Sequence, residues 1–464
     1  MQKPISVKKH TKWSFLAILW AIYYCALFTI GDNPQFTRSI IWIGGAAVGF
    51  ATISVFIRSI SLRQIPRECF ILLLFWIWSL TGILIATDMY MFLTNIKLLL
   101  ELVVLTFFLS IVIKNCGDAK WLYLAFFVVA VWWILVGDTT SKGETIALGQ
   151  VLSHDKIIEQ RSDKANGVGF YSCIGVLSML ALLWEVRTRW MQSALIAGGV
   201  LALCGVVMSA SRGALATLMV ITILWAIMCL PGTSRSKIRV LAFAFFTIVI
   251  SYCIFEFIVK ETYLGTRFSN TGQTNDTSTA ARIDLILIGI RLFVENPVMG
   301  CGIGQFGIAS ATGRYAHNEF AEVISSTGTI GTILYYSVYV MAWRRLTLSL
   351  RYLQSPLFRY RINIARVLLL VLLFSGFIFR INFIQQDSMF LIAIVIGMAY
   401  WGEQQARLAY EGERENYRQE SPKCDRHITE SSSLRLEGIG DNSSHDKCNS
   451  LCMQIEDSAE RRRQ

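Results

Sequence analysis

Charge is scarce in this sequence. Asp, Glu, Lys and Arg make up 16% of its 464 residues, against 54% hydrophobic residues and a mean hydropathy of +0.50. So few charges cannot solvate a soluble globule of this length, which excludes the soluble classes and leaves an integral membrane protein. A cleavage site is missing as well. Lys3, Lys8, Lys9 and Lys12 resemble the basic start of a signal peptide, but no small-residue site follows the first apolar run, so this segment reads as an uncleaved anchor with its N-terminus inside. The eleven cysteines offer no disulfide framework. Cys25, Cys69, Cys116, Cys173, Cys204, Cys229 and Cys253 lie in or beside apolar runs, Cys424, Cys448 and Cys452 lie in the tail, and Cys301 is left alone in a long polar loop. His445, Cys448 and Cys452 are spaced like metal ligands, but the fourth would have to come from distant Cys424 or His427, so no metal site is read there. No internal repeat is evident.

What the chain has in quantity is apolar windows of spanning length. Twelve are read, near 13–31, 39–57, 69–87, 95–113, 120–136, 167–184, 190–208, 214–230, 238–258, 320–343, 366–384 and 387–402. The fold class is therefore all-α and polytopic. The net charge of +11 is a matter of topology, not of nucleic-acid binding. Basic residues gather between alternate helices: Arg58, Arg63 and Arg67; Lys114 and Lys120; Arg187 and Arg189; Arg235, Lys237 and Arg239; then Arg344, Arg345, Arg351, Arg359, Arg361 and Arg366. The short loops of the other side carry Arg38, Arg212 and Arg380. By the positive-inside rule both termini are cytoplasmic. Residues 1–402 form the transmembrane domain, and 403–464, charged and serine-rich, read as a disordered cytoplasmic tail.

Two outer loops are long, 137–166 and 259–319, and the second needs structure of its own. A helix from Ala280 to Val294 is expected there, capped by Thr277, Ser278 or Thr279 and ended by Glu295-Asn296-Pro297. Its Ile283, Ile286, Leu287 and Ile290 recur at helical spacing beside Arg282, Asp284 and Arg291, as in an amphipathic helix lying on the outer membrane surface. Gly300, Gly302 and Gly304 then mark a tight turn. Ionisable residues near the membrane also fall on this outer side: Lys97 and Glu101, spaced to pair, Glu256, Arg212 and Arg380. A transporter would hold such groups near the midplane, so chemistry at the outer surface is expected instead. The richest stretch is His317 to Gly331, where an imidazole and two carboxylates, Glu319 and Glu322, open an apolar run from Thr329 to Trp343. Within it, Gly328 and Gly331 could serve as small residues for close helix packing.

Four pieces in order resemble the bacterial O-antigen ligase and polymerase family of polytopic glycosyltransferases. They are Ser211-Arg212-Gly213; Arg267 with Asp276-Thr-Ser-Thr-Ala-Ala-Arg282; Asn296-Pro297-Val-Met-Gly300-Cys-Gly302; and His317-Asn318 followed by nine residues and Gly328-x-x-Gly331. The likeness covers about 160–345, and Ala165-Asn166-Gly167 is a further partial match to the family's Asn-Pro-Asn turn, without the proline.

The resemblance implies transfer of a glycan from undecaprenyl diphosphate to a hydroxyl acceptor, lipid A-core or a growing glycan, at the periplasmic face of the bacterial inner membrane. It implies no nucleotide sugar, no metal and no cofactor. Arg212 and Arg282 match the family's functional arginines, with Arg267 third and Arg380 added from topology. Guanidinium groups suit a diphosphate leaving group because they stay charged and meet phosphate oxygens at two points. His317 is the candidate acceptor-side group, as general base or as the group that orients the hydroxyl. Glu319 and Glu322 are rival bases, and Asn318 could bind sugar or fix the imidazole. Ligase is preferred over polymerase, and a transporter or structural membrane protein is the remaining alternative.

Overall fold

The computed structural model describes residues 10–29, 34–59, 65–136, 155–209, 211–230, 277–378 and 380–436. Among them every regular element is a helix, so the protein is an all-α polytopic membrane protein. In chain order they are α1 (His10–Thr29), α2 (Pro34–Ser59), α3 (Arg67–Leu80, continued by a 3₁₀ turn at Thr81–Leu84), α4 (Met89–Cys116), α5 (Lys120–Val136), α6 (Asp155–Leu183) and α7 (Arg189–Met208). Then follow α8 (Arg212–Cys229), α9 (Thr277–Glu295), the single turn α10 (Phe306–Ala309), α11 (Glu319–Ser349), α12 (Pro356–Ile378) and α13 (Gln386–Leu436). The chain divides into two compact units, Met1–Ala406 and Arg407–Gln464.

Seven described helices are long and apolar enough to cross a membrane: Lys12–Thr29, Arg67–Leu84, Met89–Cys116, Asn166–Leu183, Arg189–Met208, Arg212–Cys229 and Pro356–Ile378. Ile43–Ile57 and Lys120–Leu135 are shorter apolar helices. The windows at 320–343 and 387–402 form the polar-interrupted α11 and the start of α13. The window at 238–258, Arg267 and the His445 cluster lie outside the described residues.

Helix boundaries differ from expectation at several places, two of which bear on charge. First, α12 starts at Pro356, ahead of its apolar window, so Arg359, Arg361 and Arg366 ride on a helix end rather than in a loop. Its cations have partners: Arg361 grips Glu185 at 2.8 and 2.9 Å, and the Arg366 guanidinium lies 4.5 Å from the Trp343 ring. Second, α13 runs on to Leu436, past the composition break at Glu403 where disorder was expected. The residues that follow the break, Glu-Gln-Gln-Ala-Arg-Leu-Ala, are strong helix formers.

In lipid, association between helices depends on close van der Waals contact and hydrogen bonding more than on hydrophobic transfer. Small residues supply that contact where α6 meets its neighbours: a Cβ on Gly175 would lie 2.5 Å from the Ala130 methyl, and one on Gly169 would lie 2.5 Å from the Ala214 methyl. α1 packs on α5, α4 and α2; α11 lies against α3 and α12; α8 lies against α12 and α6.

The contacts sort into two ends of the first unit. At one end Arg345 pairs with buried Glu68 at 2.8 Å and with Glu403, and lies 4.2 Å from the Tyr400 ring centroid. Arg67 donates its N–H to the Tyr400 hydroxyl at 2.6 Å, Lys120 pairs with Asp118 at 2.9 Å, and Arg361 also donates to the Gly117 carbonyl at 2.9 Å. Basic residues expected on one side thus share one end. We call it the Glu68 end and its opposite the His317 end.

Candidate active site

The site is built on a break in α11. Gly328 has φ +66° and ψ −166°, a conformation no helix contains and L side chains rarely adopt. The break strands the carbonyls of the preceding turn, and in apolar surroundings each must find a donor. They do: the Cys301 N–H donates to the Ser325 carbonyl at 2.7 Å, the Gly302 N–H to Ser326 at 2.9 Å, and the Trp78 indole N–H to Thr327 at 2.9 Å. Across the break, Thr329 donates its N–H (2.9 Å) and its hydroxyl (2.8 Å) to the Pro297 carbonyl. A Cβ on Gly328 would lie 2.1 Å from the Val298 carbonyl oxygen, and one on Gly300 would lie 2.5 Å from that of Ser325. The Asn296–Gly302 turn and the His317–Gly331 stretch are therefore one backbone-to-backbone joint. Gly328 is a break required by that joint, whereas Gly331 does make room for a neighbour, since its Cβ would meet Thr327 and come 3.1 Å from Trp78.

The Gly-x-Gly-x-Gly turn completes the joint, with φ of +72°, +97° and +74° at Gly300, Gly302 and Gly304. It delivers Gln305, fully buried, into the turn between α3 and α4. There Gln305 accepts from Thr87 N–H, Thr87 Oγ1 and Asp88 N–H and donates to the Asp88 carbonyl, all within 2.9–3.2 Å. Cys301, read as alone in a long polar loop, is half-buried, and burial lifts its thiol to about 12.

Directly before α11, His317 has φ +52°. A non-glycine residue held there costs roughly 1–3 kcal/mol, and such residues concentrate at functional sites. The half-buried imidazole packs on Tyr315, ring centroids 3.9 Å apart. Asn318 caps α11: its Oδ1 accepts the Ala321 N–H at 2.9 Å while its Nδ2 donates to the Phe377 carbonyl at 2.7 Å. Glu322, 4% exposed, accepts the Ala316 N–H at 2.8 Å. Glu319, 1% exposed, takes four donors: the Tyr335 hydroxyl (2.8 Å), the Asn382 and Phe383 N–H groups (2.7 and 3.1 Å) and Asn382 Nδ2 (3.0 Å). Glu319 is thus the fastener between α11 and the α12–α13 turn.

That turn carries Arg380, whose charge is engaged internally. Its guanidinium pairs with Asp387, reaches Ser388 Oγ at 3.2 Å and lies 4.0 Å from the Phe170 ring centroid. Burial opposes the charge, and Asp387, Tyr171 and Tyr24 together outweigh it, so its pKa is raised. Arg380, expected to bind substrate, is held here by Asp387, Ser388 and the Phe170 ring. From Phe170 the contacts continue along α6 to Asn166, whose Oδ1 accepts from the Ser211 hydroxyl at 2.8 Å, while that hydroxyl accepts the Ala214 N–H at 3.3 Å. This pins the Ser211-Arg212-Gly213 turn to Asn166 and leaves Arg212 half-buried at the start of α8.

Arg282, also half-buried, arrives on α9. That helix is not a free amphipathic surface helix. Leu285 and Leu292 share a small core with Phe306, Ala316 and Ala321, and a Cβ on Gly289 would lie 3.2 Å from the Ala321 methyl. Ile283, Leu287, Ile290 and Val294 stay exposed on the opposite side. His317, Asn318, Glu319, Glu322 and Gly328 are brought together; Arg212 and Arg282 reach the same end through α6 and α9.

Sequence alone did not mark Trp78, Gln305, Tyr335, Asn382 or Asp387. Only Asn382 and Asp387 had a visible signal, as polar residues beside Arg380 in a short turn between two apolar windows. Residues 197–336 match the family described as O-antigen ligase, a segment that takes in Arg212, Arg282, the Asn296–Gly302 turn and His317 to Gly331. No curated protein matches the chain.

Proposed function

We propose that the chain, whose residues 197–336 match the family described as O-antigen ligase, is an O-antigen ligase, transferring a glycan from undecaprenyl diphosphate to lipid A-core at the periplasmic face of the inner membrane. The observation that supports this best is the joint between the Asn296–Gly302 turn and the break at Gly328, because it holds two distant motif segments as a single mount for His317.

In the transfer, an acceptor hydroxyl oxygen bonds to the anomeric carbon of the donor glycan. The bond from that carbon to the diphosphate oxygen breaks, and its electron pair leaves with undecaprenyl diphosphate. His317 takes the hydroxyl proton, worth roughly a hundred- to ten-thousand-fold in rate. Arg212 and Arg282, with Arg267, hold the diphosphate and stabilise the charge that grows on it as the bond breaks. Asn318 has both ends of its amide engaged in capping and fixes the start of α11 rather than sugar. No cofactor enters this scheme.

The test is the lipopolysaccharide of a deletion strain. Full-length polymer accumulating on its lipid carrier, with core left bare, is the expected result. Core capped by a single repeat unit would make the protein a polymerase acting on the same donor, and unchanged lipopolysaccharide with blocked export would make it a transporter. A reporter fused within 270–310 should read periplasmic and one after Trp401 cytoplasmic. The opposite pattern would overturn the assignment, because the lipid-linked donor is consumed outside.

A further inference from the structure

Two acids lie within one turn and a half of His317, and their carboxylates do different things. Glu319 binds the α12–α13 turn, whereas Glu322 reaches back over the histidine to the Ala316 N–H. In an ordinary capping box an acid at the third helical position returns to the N–H of the cap residue. Here the acid stands at the fourth position and reaches the N–H two residues ahead of the cap, so the closed loop encloses His317. The far side of the loop is the first turn of α11, closed by the Glu322 N–H donating to the Asn318 carbonyl at 3.0 Å. In the chain entering it Ala311, Thr312, Gly313 and Arg314 are exposed, whereas Ala316 is fully buried against Leu285, Leu292, Phe306 and Ala321.

We propose that Glu322 is a positioning residue: by holding the Ala316 N–H it imposes the left-handed backbone at His317 and so aims the imidazole at the acceptor hydroxyl. This rests on His317 being the acceptor-side group. Reach, not charge, is the property that matters. An amide oxygen on a side chain of the same length can accept the same N–H, and a carboxylate one carbon shorter cannot span the gap.

The experiment compares Glu322→Gln, which keeps reach and loses charge, with Glu322→Asp, which keeps charge and loses reach. Both are made in the full-length protein in nanodiscs. Transfer is measured with lipid-linked glycan extracted from a ligase-deficient strain and purified lipid A-core, resolving kcat from the donor KM. Alongside, the imidazole signals of protein labelled with ¹³C-histidine are followed through pH; five histidines are present, and the His317 signal is the one lost in His317→Ala. Glu322→Gln should match the wild type in kcat and in the His317 signal. Glu322→Asp should lose about a hundredfold in kcat, as a misplacement near 1 Å costs, at unchanged donor KM and with a shifted or split His317 signal. If Asp is active and Gln inactive, with the His317 signal unmoved in both, Glu322 is itself the proton acceptor and the proposal fails. It fails equally if both variants keep full kcat and an unmoved signal. Should the wild type transfer nothing, the ligase assignment falls, while the histidine signals still decide whether Glu322 holds His317.

Discussion

The two ends of the first unit handle charge differently. At the Glu68 end acids meet bases: Glu68 and Glu403 share Arg345, Glu185 takes Nε and Nη2 of Arg361, and Asp118 holds Lys120. At the His317 end the two central acids are satisfied by neutral donors, Glu322 by a backbone N–H and Glu319 by a tyrosine hydroxyl, two backbone N–H groups and an amide. Arg380, at the same end, pairs with a third acid, Asp387. One end uses charge to hold helices together. The other fastens its two central acids with neutral hydrogen-bond donors.

The strongest test of this division is His317→Ala. Transfer should fall by roughly a hundred- to ten-thousand-fold, while the melting temperature in detergent stays near that of the wild type. A variant that is inactive because it melts early would move His317 to the structural side.

Arg345→Ala should do the reverse. It leaves Glu68, 0% exposed in its side chain, as an unpaired buried acid, and breaking such a pair costs roughly 3–5 kcal/mol. Thermal unfolding should come early and protein level should drop, while turnover per folded molecule is kept. Replacing Glu68 by Gln in the same chain should restore part of the loss. A stable but inactive Arg345→Ala protein would break the division between the ends.

Arg212→Lys and Arg282→Lys come next. Each keeps charge and loses the planar two-point fit to phosphate, so transfer should fall at normal protein level and the donor KM should rise. Full activity in both would make them anchors for lipid headgroups.

How much of this was legible beforehand follows from the range of the forces involved. The apolar windows that fall on described residues, the helix expected over 280–294 and the clustering of Arg67, Lys120, Arg345 and Arg361 at one end depend on local pattern and were readable. The site was readable as a set of residues but not as a joint. Gly328 looked like a packing residue because small-x-x-small spacing has that meaning in membrane helices; that it breaks the helix depends on Pro297 and Cys301 lying across from it. Glu319 looked like a base because its four donors come from α11 beyond the break and from 382–383, partners that no spacing rule connects. Arg380 looked like a phosphate ligand for the same reason: Asp387 sits beside it in sequence, but Phe170 does not.

The smallest expected effect concerns Lys97 and Glu101, also on the His317 side and spaced to pair. They do pair, but at 3.8 Å and with side chains 68% and 40% exposed, on the outside of α4. An exposed pair of this kind contributes about 0–1 kcal/mol, because water and salt screen it and two long side chains must be ordered to form it. Glu101→Gln should therefore leave both transfer and melting temperature almost unchanged. Asp387→Asn, in contrast, removes the charge partner of Arg380 where that guanidinium is 10% exposed and lies over Phe170. It should lower the melting temperature clearly and disturb the turn that Glu319 holds through Asn382 and Phe383. Both substitutions remove one negative charge at the same end, so a general electrostatic effect on a diphosphate donor would move them together, toward a lower donor KM. A large effect of Glu101→Gln on transfer without loss of stability would place the Lys97 face of α4 in the substrate path, and the boundary of the site would have to be redrawn to include it.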